Sequence, residues 1–387
     1  MEPLPARAVP AEVQPRCRHF GECGGCQLQH LSQATQVQGK MEALRERLAQ
    51  AGFGAPEIRT HTGQEYHYRN RIRLRLEDGR LGYNRRASHA FLPVEECPIA
   101  APLLWHTAAE LERVAAVQSP WPAGSTEVEL CTNVDESGLQ LLLHVDATVN
   151  TLDRDAPAQF RRVCEALKVP VPQLVGAGLL VQGSLATTSR RVQERQRVEV
   201  ARWGKPGLAY AVNGIEYEVS RGAFFQVNRF LTGLMVDLVL GGRSGRIVWD
   251  LFAGAGLFSV PLAERFDQVI AVEVGQPAAN DLSAALRAAG ELHRAVAQPV
   301  LEFLKDQRST VPDVIVMDPP RAGLGSAAVQ LARVGAPELV YVSCDALTFA
   351  RDARALVDSR YTITELHLLD LFPQTDHTET IAVFRRS

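Results

Sequence analysis

A chain of 387 residues with a net charge of −3 and a pI near 6.4 predicts two or three globular domains rather than one. The acidic balance by itself argues against a nucleic-acid partner, and no run of about 18 apolar residues is present to span a membrane. The first residues lack the apolar core of a signal peptide, and seven cysteines are an odd number for a disulfide framework, so we expect a cytoplasmic protein.

Three closely spaced cysteines follow a proline-rich stretch, residues 1–16, which we expect to form a loose tail. Cys17, Cys23 and Cys26 are separated by five and then two residues, a density typical of metal ligands. Such a site needs a fourth ligand, and Cys97 is the nearest candidate. The spacing fits zinc and a 4Fe-4S cluster equally well.

The cysteine segment, residues 17–64, also contains a helix, which we predict over residues 33–51. Apolar residues recur at helical spacing along it and predict one packing face. They are Val37, Met41, Leu44 and Leu48. Gly52 and Gly54 are expected to end the helix.

Residues 65–207 predict a central, mostly β domain, because short apolar runs alternate with turns. Its first part predicts a hairpin with Asp78 and Gly79 in a tight turn. The local charge from residue 66 to residue 90 is +5, in a chain whose remainder carries −8. Strand alternation places four arginines on one face. They are Arg69, Arg71, Arg73 and Arg75.

Four like charges in a row would repel each other, which favours an anionic ligand such as RNA over a merely solvated face. A second basic cluster, residues 189–197, fits a phosphate-contacting loop and a plain solvated strand about equally well.

Residues 208–387 alternate strands and helices, as an α/β doubly wound domain does, with one helix predicted over residues 228–240. An apolar run ends at Asp250, and Gly254 and Gly256 make a turn before a helix predicted from Leu257, the arrangement of a nucleotide cradle. Ser259 stands where the dinucleotide fingerprint has its third glycine. The turn therefore suits S-adenosylmethionine better than NAD.

Two acidic residues follow later strands of this domain. Glu273 comes 17 residues after Gly256, where an acid reaches the ribose hydroxyls of a nucleotide. Asp318 precedes two prolines, which stiffen the loop at the ligand-binding edge of the sheet.

A cysteine and a second acidic loop complete the candidate site. Cys344 ends an apolar strand just before a helix that Asp345 can cap. The helix dipole, worth up to about 2 kcal/mol, is expected to lower the pKa of this thiol by about one unit. The loop entering the last strand carries Asp376, His377 and Glu379.

Taken together, these motifs resemble those of the RNA uracil-5-methyltransferases. Five stretches occur in that family's order, namely FFQVN, DLFAGAG, DPPRAG, VSCDALTFARD and FPQTDHTE. The stretch CRHFGECGGCQLQHL is similar to the cluster motif of the family's ribosomal members. Two departures stand out, since Phe252-Ala253 replaces the usual Tyr-Cys and Asp345-Ala346 replaces the usual Asn-Pro after the nucleophile.

The resemblance implies Cys344 as the nucleophile, Glu379 as the base and a 4Fe-4S cluster on the four cysteines named above. It also implies contacts to S-adenosylmethionine beside Asp250, Gly254 and Gly256. These contacts fall on Gln226, Phe252, Glu273 and Asp318. The implied fold is a Rossmann-like methyltransferase domain with a mostly β central RNA-binding domain and an N-terminal cysteine cluster segment.

We therefore predict a monomeric enzyme that methylates carbon 5 of a uridine in 23S rRNA. Uracil methylation needs one thiolate, one base and a methyl donor, whereas the 5-methylcytosine enzymes of RNA normally use two cysteines. The cluster motif favours rRNA over tRNA. A tRNA enzyme and an RNA-binding protein with an inactive methyltransferase domain are the alternatives.

Overall fold

The computed structural model describes residues 12–54, 56–117, 120–148, 150–182, 197–307 and 310–387. The second basic cluster, residues 189–197, lies outside this part of the chain except for Arg197. The helices of the described residues are α1 (Gln33–Gln50), α2 (Pro102–Val117), α3 (Ala156–Lys168), α4 (Thr232–Leu240), α5 (Ser259–Ala263), α6 (Gln276–Ala289), α7 (Val300–Asp306), α8 (Ala327–Val334) and α9 (Ala346–Val357). None of these helices is long and apolar enough to cross a bilayer.

The strands of the described residues divide among three sheets. They are β1 (Ile58–His61), β2 (Arg71–Glu77), β3 (Arg80–Asn84), β4 (Phe91–Pro93), β5 (Ser125–Thr132), β6 (Leu139–Thr148), β7 (Leu174–Gln182), β8 (Arg197–Gly204), β9 (Gly207–Val212), β10 (Ile215–Ser220), β11 (Gly245–Leu251), β12 (Phe266–Val272), β13 (Arg294–Val296), β14 (Val314–Met317), β15 (Glu338–Ser343), β16 (Tyr361–Leu369) and β17 (Glu379–Arg386).

The larger sheet has the order β1-β16-β17-β15-β14-β11-β12-β13. Only β17 runs antiparallel to its neighbours; the other pairs are parallel. All four residues of β14 are buried, as expected for a central strand with helices on both faces. The predicted α/β doubly wound fold is confirmed.

The second sheet, in the order β4-β3-β2-β5-β6-β7-β8, forms the central β-rich part of the chain. The hairpin of β2 and β3 turns at Asp78 (φ 50°) and Gly79 (φ 77°), as the sequence predicts. The pair β6–β7 is parallel because α3 crosses between the two strands. The helices α2 and α3 pack on this sheet and were missed by the sequence analysis.

The central sheet ends with β8 at Gly204, and the two-stranded sheet β9–β10 begins at Gly207. The change from one sheet to the other falls next to the predicted domain boundary between residues 207 and 208. The division of the chain into domains stays a prediction. The predicted cysteine segment contributes to the larger sheet, because β1 pairs in parallel with β16, with Ile58 beside Leu366. Leu44 and Leu48 of α1 are fully buried in the same core as Ile58.

Two predicted helices differ from the observed ones at their first residue. The helix predicted from residue 228 begins at Thr232, because the side chain of Asn228 accepts hydrogen bonds from the N–H groups of Phe230 and Leu231 (both 3.0 Å) and forms a turn first. The helix after the glycine turn starts at Ser259 and has only five residues. Within the stretch predicted as a loose tail, residues 1–16, Glu12 accepts a hydrogen bond from the hydroxyl of Thr35 of α1.

Candidate active site

The predicted site residues meet at one edge of the larger sheet. The parallel strands β11, β12, β14 and β15 all end there, and the antiparallel strand β17 begins there. Ligands of open α/β sheets bind at this carboxyl edge. The residues that it brings together are Phe252, Glu273, Asp318, Cys344 and Glu379.

The turn after β11 has the backbone of a ligand cradle. Phe252, Gly254 and Gly256 all have positive φ, at 62°, 55° and 96°. A bulky residue such as Phe252 is strained there, at a cost of about 1–3 kcal/mol that is typical of functional sites. The N–H of Gly254 donates to Oε2 of Glu273 (3.0 Å), so the acid after β12 fixes the turn after β11.

Two carboxyl groups, one fully buried and one partly buried, lie beside this turn. Asp250 is fully buried, its Oδ2 accepts a hydrogen bond from the hydroxyl of Ser259, and its Oδ1 has no partner among the described residues. Burial, and then the charge of Glu273, raises the pKa of Asp250 to about 7. Burial, and then the charge of Asp250, raises the pKa of Asp318 to about 7. Positively charged groups on a ligand would stabilise both carboxylates.

A glutamine from the segment before α4 contacts one of these carboxyl groups. Nε2 of Gln226 donates to Oδ2 of Asp318 (3.1 Å). Asn70 holds this segment, because its Nδ2 donates to the carbonyl of Gln226 and its N–H donates to the carbonyl of Val227 (both 3.0 Å). Asn70 is not among the predicted site residues. In the sequence it is marked only as a polar residue between two arginines, whose side chains make other contacts.

Strand register places the candidate nucleophile beside the candidate base. Ser343, the last residue of β15, is paired with Thr380 of the antiparallel strand β17. One step further along this register, Cys344 comes opposite Glu379. Only 3% of Glu379 is exposed, whereas the side chain of Asp376 is 69% exposed on the preceding loop.

The expected lowering of the Cys344 pKa is wrong in direction. Burial, and then the nearby carboxyl groups of Glu379 and Asp318, raises this pKa to about 11, and Arg321 opposes them. In the free protein the thiol is therefore protonated at neutral pH. The carboxylate of Asp345 caps α9, as predicted, by accepting the N–H of Thr348 (2.8 Å).

The surroundings of Glu379 favour its protonated form over its carboxylate. Burial, followed by repulsion from Asp318, raises the pKa of Glu379 well above its usual range, and the guanidinium of Arg321 opposes the shift. A carboxylate with a raised pKa is the stronger base once it has lost its proton. The site thus sets a candidate nucleophile, Cys344, beside a candidate base, Glu379.

The four candidate ligand cysteines surround one cavity of about 110 Å³. Burial raises the pKa of Cys26 to about 12 and that of Cys97 to about 11, so both thiols stay neutral unless a cationic group replaces their protons. Within the described ranges, no three His, Cys, Asp or Glu side chains converge on a point that could hold one metal ion. A zinc ion needs its sulfur ligands within about 2.3 Å of one point.

The predicted arginine face is not a row of unpaired charges. Arg71 donates to Glu129 (Nε–Oε1 2.9 Å) and to the carbonyl of Ala223 (2.7 Å), and Arg73 pairs with Glu127. These glutamates lie on β5, directly across from β2. The inference from like-charge repulsion is therefore wrong.

The two outer arginines of the set differ from each other in their surroundings. Arg69 precedes β2 and lines the cysteine cavity, with its guanidinium 5.9 Å from the ring centre of Phe372. Arg75 pairs with Glu77 at 2.8 Å. RNA binding by the four arginines stays a prediction. Among the three on β2, Arg73 and Arg75 keep more of their side chains exposed than Arg71 does.

Two polar residues of α1 were also missed. Gln36 and Lys40 are buried and contact the loop that leads to Glu379. The sequence contains a signal for these two residues, because both are polar and fall inside the apolar stripe of α1 at helical spacing.

Comparison with known proteins agrees with this geometry. The family described as "tRNA (Uracil-5-)-methyltransferase" matches residues 205–387. The 23S rRNA (uracil(1939)-C(5))-methyltransferase RlmD of Halomonas elongata is 31% identical over 408 residues, covering 97% of this chain and 77% of that protein. Its counterpart in Edwardsiella ictaluri is 30% identical over 392 residues, covering 97% of this chain and 82% of that protein.

A solved structure shares the fold. It is the tRNA (uracil-54, C5)-methyltransferase of Pyrococcus abyssi in complex with S-adenosyl-L-homocysteine, with a TM-score of 0.73. The sequences are 22% identical, and the match covers 93% of this chain and 85% of that chain.

Proposed function

Because the chain belongs to the S-adenosylmethionine-dependent RNA uracil-5-methyltransferases, we propose that it methylates carbon 5 of a uridine in 23S rRNA. The observation that carries this proposal is the register that sets Cys344 beside Glu379, at the edge that also holds the glycine turn. The names of two relatives specify uracil 1939, and we propose the equivalent uridine as the target.

The chemistry assigns each residue one task. Uracil must leave its base stack to reach the sheet edge, at a cost of a few kcal/mol. The thiol of Cys344 gives its proton to solvent water and its sulfur bonds to carbon 6. The electrons of the ring double bond move toward the carbonyl oxygen on carbon 4 as an enolate, which makes carbon 5 nucleophilic. Bound S-adenosylmethionine supplies the methyl group. Glu379 takes the proton from carbon 5, the electrons of that bond restore the ring double bond, and the bond from sulfur to carbon 6 breaks.

The donor site falls on the residues around the glycine turn. We propose that Gln226, Asp318 and Phe252 contact the donor and that Glu273 reaches its ribose hydroxyls. Asp250 would hold the turn through Ser259 and supply negative charge beneath it. The unpartnered Oδ1 of Asp250 supports this assignment, and the N–H groups of Gly254 and Gly275 fix the carboxylate of Glu273 beside the turn.

Methyl incorporation tests the proposal and separates its alternatives. The purified protein would be incubated with radiolabelled S-adenosylmethionine and either 23S rRNA or tRNA transcripts. We expect label in 23S rRNA alone, recovered as 5-methyluridine after digestion. Label in tRNA alone would replace the rRNA proposal with the tRNA alternative. No label in either RNA, with donor binding intact, would identify an RNA-binding protein with an inactive domain.

We also propose that Cys17, Cys23, Cys26 and Cys97 hold a 4Fe-4S cluster. The shared cavity supports it, and the family resemblance favours iron over zinc. Protein purified without oxygen should be brown and contain about four iron atoms with acid-labile sulfide. Cys97→Ala should lose the colour, whereas Cys164→Ala, in the core of the central sheet, should keep it. Stoichiometric zinc without sulfide would contradict the proposal.

The exposed arginines of β2 remain candidates for RNA contact. Arg73→Ala should reduce the slope of log affinity against log salt by about one, because one phosphate contact is lost. Arg113→Ala on α2 is the matched control, since Arg113 is similarly exposed and also pairs with a glutamate. Equal slopes for the two variants would mean that Arg73 is merely solvated. A cytoplasmic location and a monomeric state also stay predictions.

A further inference from the structure

The loop of residues 370–378, which joins β16 to Glu379, is held by the N-terminal part of the chain. Tyr68 donates its hydroxyl to the carbonyl of Pro373 (3.0 Å). The N–H groups of Gln27 and Leu28 both donate to the carbonyl of Gln374 (2.9 and 3.0 Å). Gln27 directly follows Cys26, so the loop is tied to the cysteine segment itself.

Gln36 of α1 makes a reciprocal pair of hydrogen bonds with Gln374. The N–H of Gln374 donates to Oε1 of Gln36 (2.8 Å), and Nε2 of Gln36 donates to Oε1 of Gln374 (3.0 Å). Gln374 has a φ of 70°, a left-handed backbone that is uncommon for a residue other than glycine. Such a conformation persists only where surrounding contacts impose it. Gln36 is therefore part of what fixes the shape of the loop.

Lys40, one turn further along α1, holds the start of the same loop. Its ammonium pairs with Oδ1 of Asp370 (2.6 Å) and donates to the carbonyl of Phe372 (3.0 Å). Both partners of the ion pair are buried, with 3% and 0% of their side chains exposed. A buried pair of this kind is poor evidence for stability but fixes the relative positions of its two elements well.

We propose that Gln36 and Lys40 are positioning residues that set Glu379 against carbon 5 of the substrate through the loop of residues 370–378. This inference rests on the proposed function and deepens it, because it assigns the N-terminal segment a part in the deprotonation step. Cys344 directly follows β15 and is not part of this loop, so thiol addition and methyl transfer should proceed while proton removal slows. A shift of about 1 Å in a reacting group can cost about 100-fold in rate.

The test compares Gln36→Leu with Gln38→Leu, an exposed position on the same helix. Each variant would be incubated with substrate RNA and S-adenosylmethionine, and the ratio of covalent RNA–protein adduct to released product measured on denaturing gels. We expect Gln36→Leu to raise this ratio about 10- to 100-fold and Gln38→Leu to leave it unchanged. A merely structural role would lower adduct and product together, and that result, or equal ratios in the two variants, would overturn the proposal.

Two further measurements keep the test decisive. If Gln36→Leu does not fold, Gln374→Gly replaces it. Glycine accepts the φ of 70° and keeps the backbone N–H that donates to Gln36, but it loses the side-chain oxygen that accepts from Nε2 of Gln36. An unchanged ratio in that variant would overturn the proposal. If the wild-type protein methylates no RNA, the proposed function fails. Amide hydrogen exchange of residues 370–378 then decides the inference alone, with faster exchange expected in Gln36→Leu than in Gln38→Leu.

Discussion

Replacing Cys344 with alanine is expected to abolish methyl transfer while leaving S-adenosylmethionine binding intact. The thiol supplies the bond to carbon 6 without which carbon 5 does not attack the methyl group. We expect a loss on the order of 10⁴-fold or more, as for other catalytic nucleophiles. Donor binding should survive, because the contacts proposed for it lie on the turn after β11 and on the neighbouring strands. Methyl incorporation and calorimetric titration with S-adenosylmethionine measure the two properties separately.

Cys164→Ala is the matched control for this substitution. Cys164 is fully buried on α3 against the central sheet and belongs to a different core from the site. This variant should transfer methyl groups at close to the wild-type rate. Comparable loss in both variants, or normal turnover by Cys344→Ala, would show that Cys344 is not the nucleophile.

Replacing Glu379 with glutamine should instead stop the reaction after methyl transfer. Glutamine keeps the shape of the buried side chain but cannot accept the proton from carbon 5, so the bond from Cys344 to carbon 6 does not break. Release should slow about 10²–10⁴-fold. A slowly migrating, nuclease-sensitive band should therefore accumulate on a denaturing gel and disappear when Cys344→Ala is added.

Asp376→Asn provides the comparison for the base. Asp376 lies three residues earlier and is exposed, so its variant should turn over normally. Should Asp376→Asn trap the adduct while Glu379→Gln releases product, the assignment of the base is wrong.

Local patterns predicted the parts of the fold that neighbours in sequence determine. The tight turn at Asp78 and Gly79, the cap at Asp345 and the glycine turn after β11 all depend on a few adjacent residues. The strand β1 was not predictable in this way. It has only four residues, and its partner β16 is roughly 300 residues away in sequence.

Electrostatic expectations failed where distant residues decide the outcome. The expectation for the thiol of Cys344 considers only the helix that follows it, but burial and then the carboxyl groups of Glu379 and Asp318 determine its pKa. The arginines of β2 were judged from their own strand, but Glu127 and Glu129 lie across from them. Those glutamates alternate with Val128 and Leu130, a pattern that could have indicated a complementary strand face.

The pairing of β1 with β16 also constrains how the protein is made. During translation β1 leaves the ribosome long before its partner exists, because roughly 300 further residues must be added. At about 5–20 residues per second, that delay is on the order of 15 to 60 s. Through this interval β1 and the apolar face of α1 have no completed core to pack against. Packing of the N-terminal segment therefore depends on late, long-range closure, and we expect its apolar surface to stay exposed until synthesis is nearly finished.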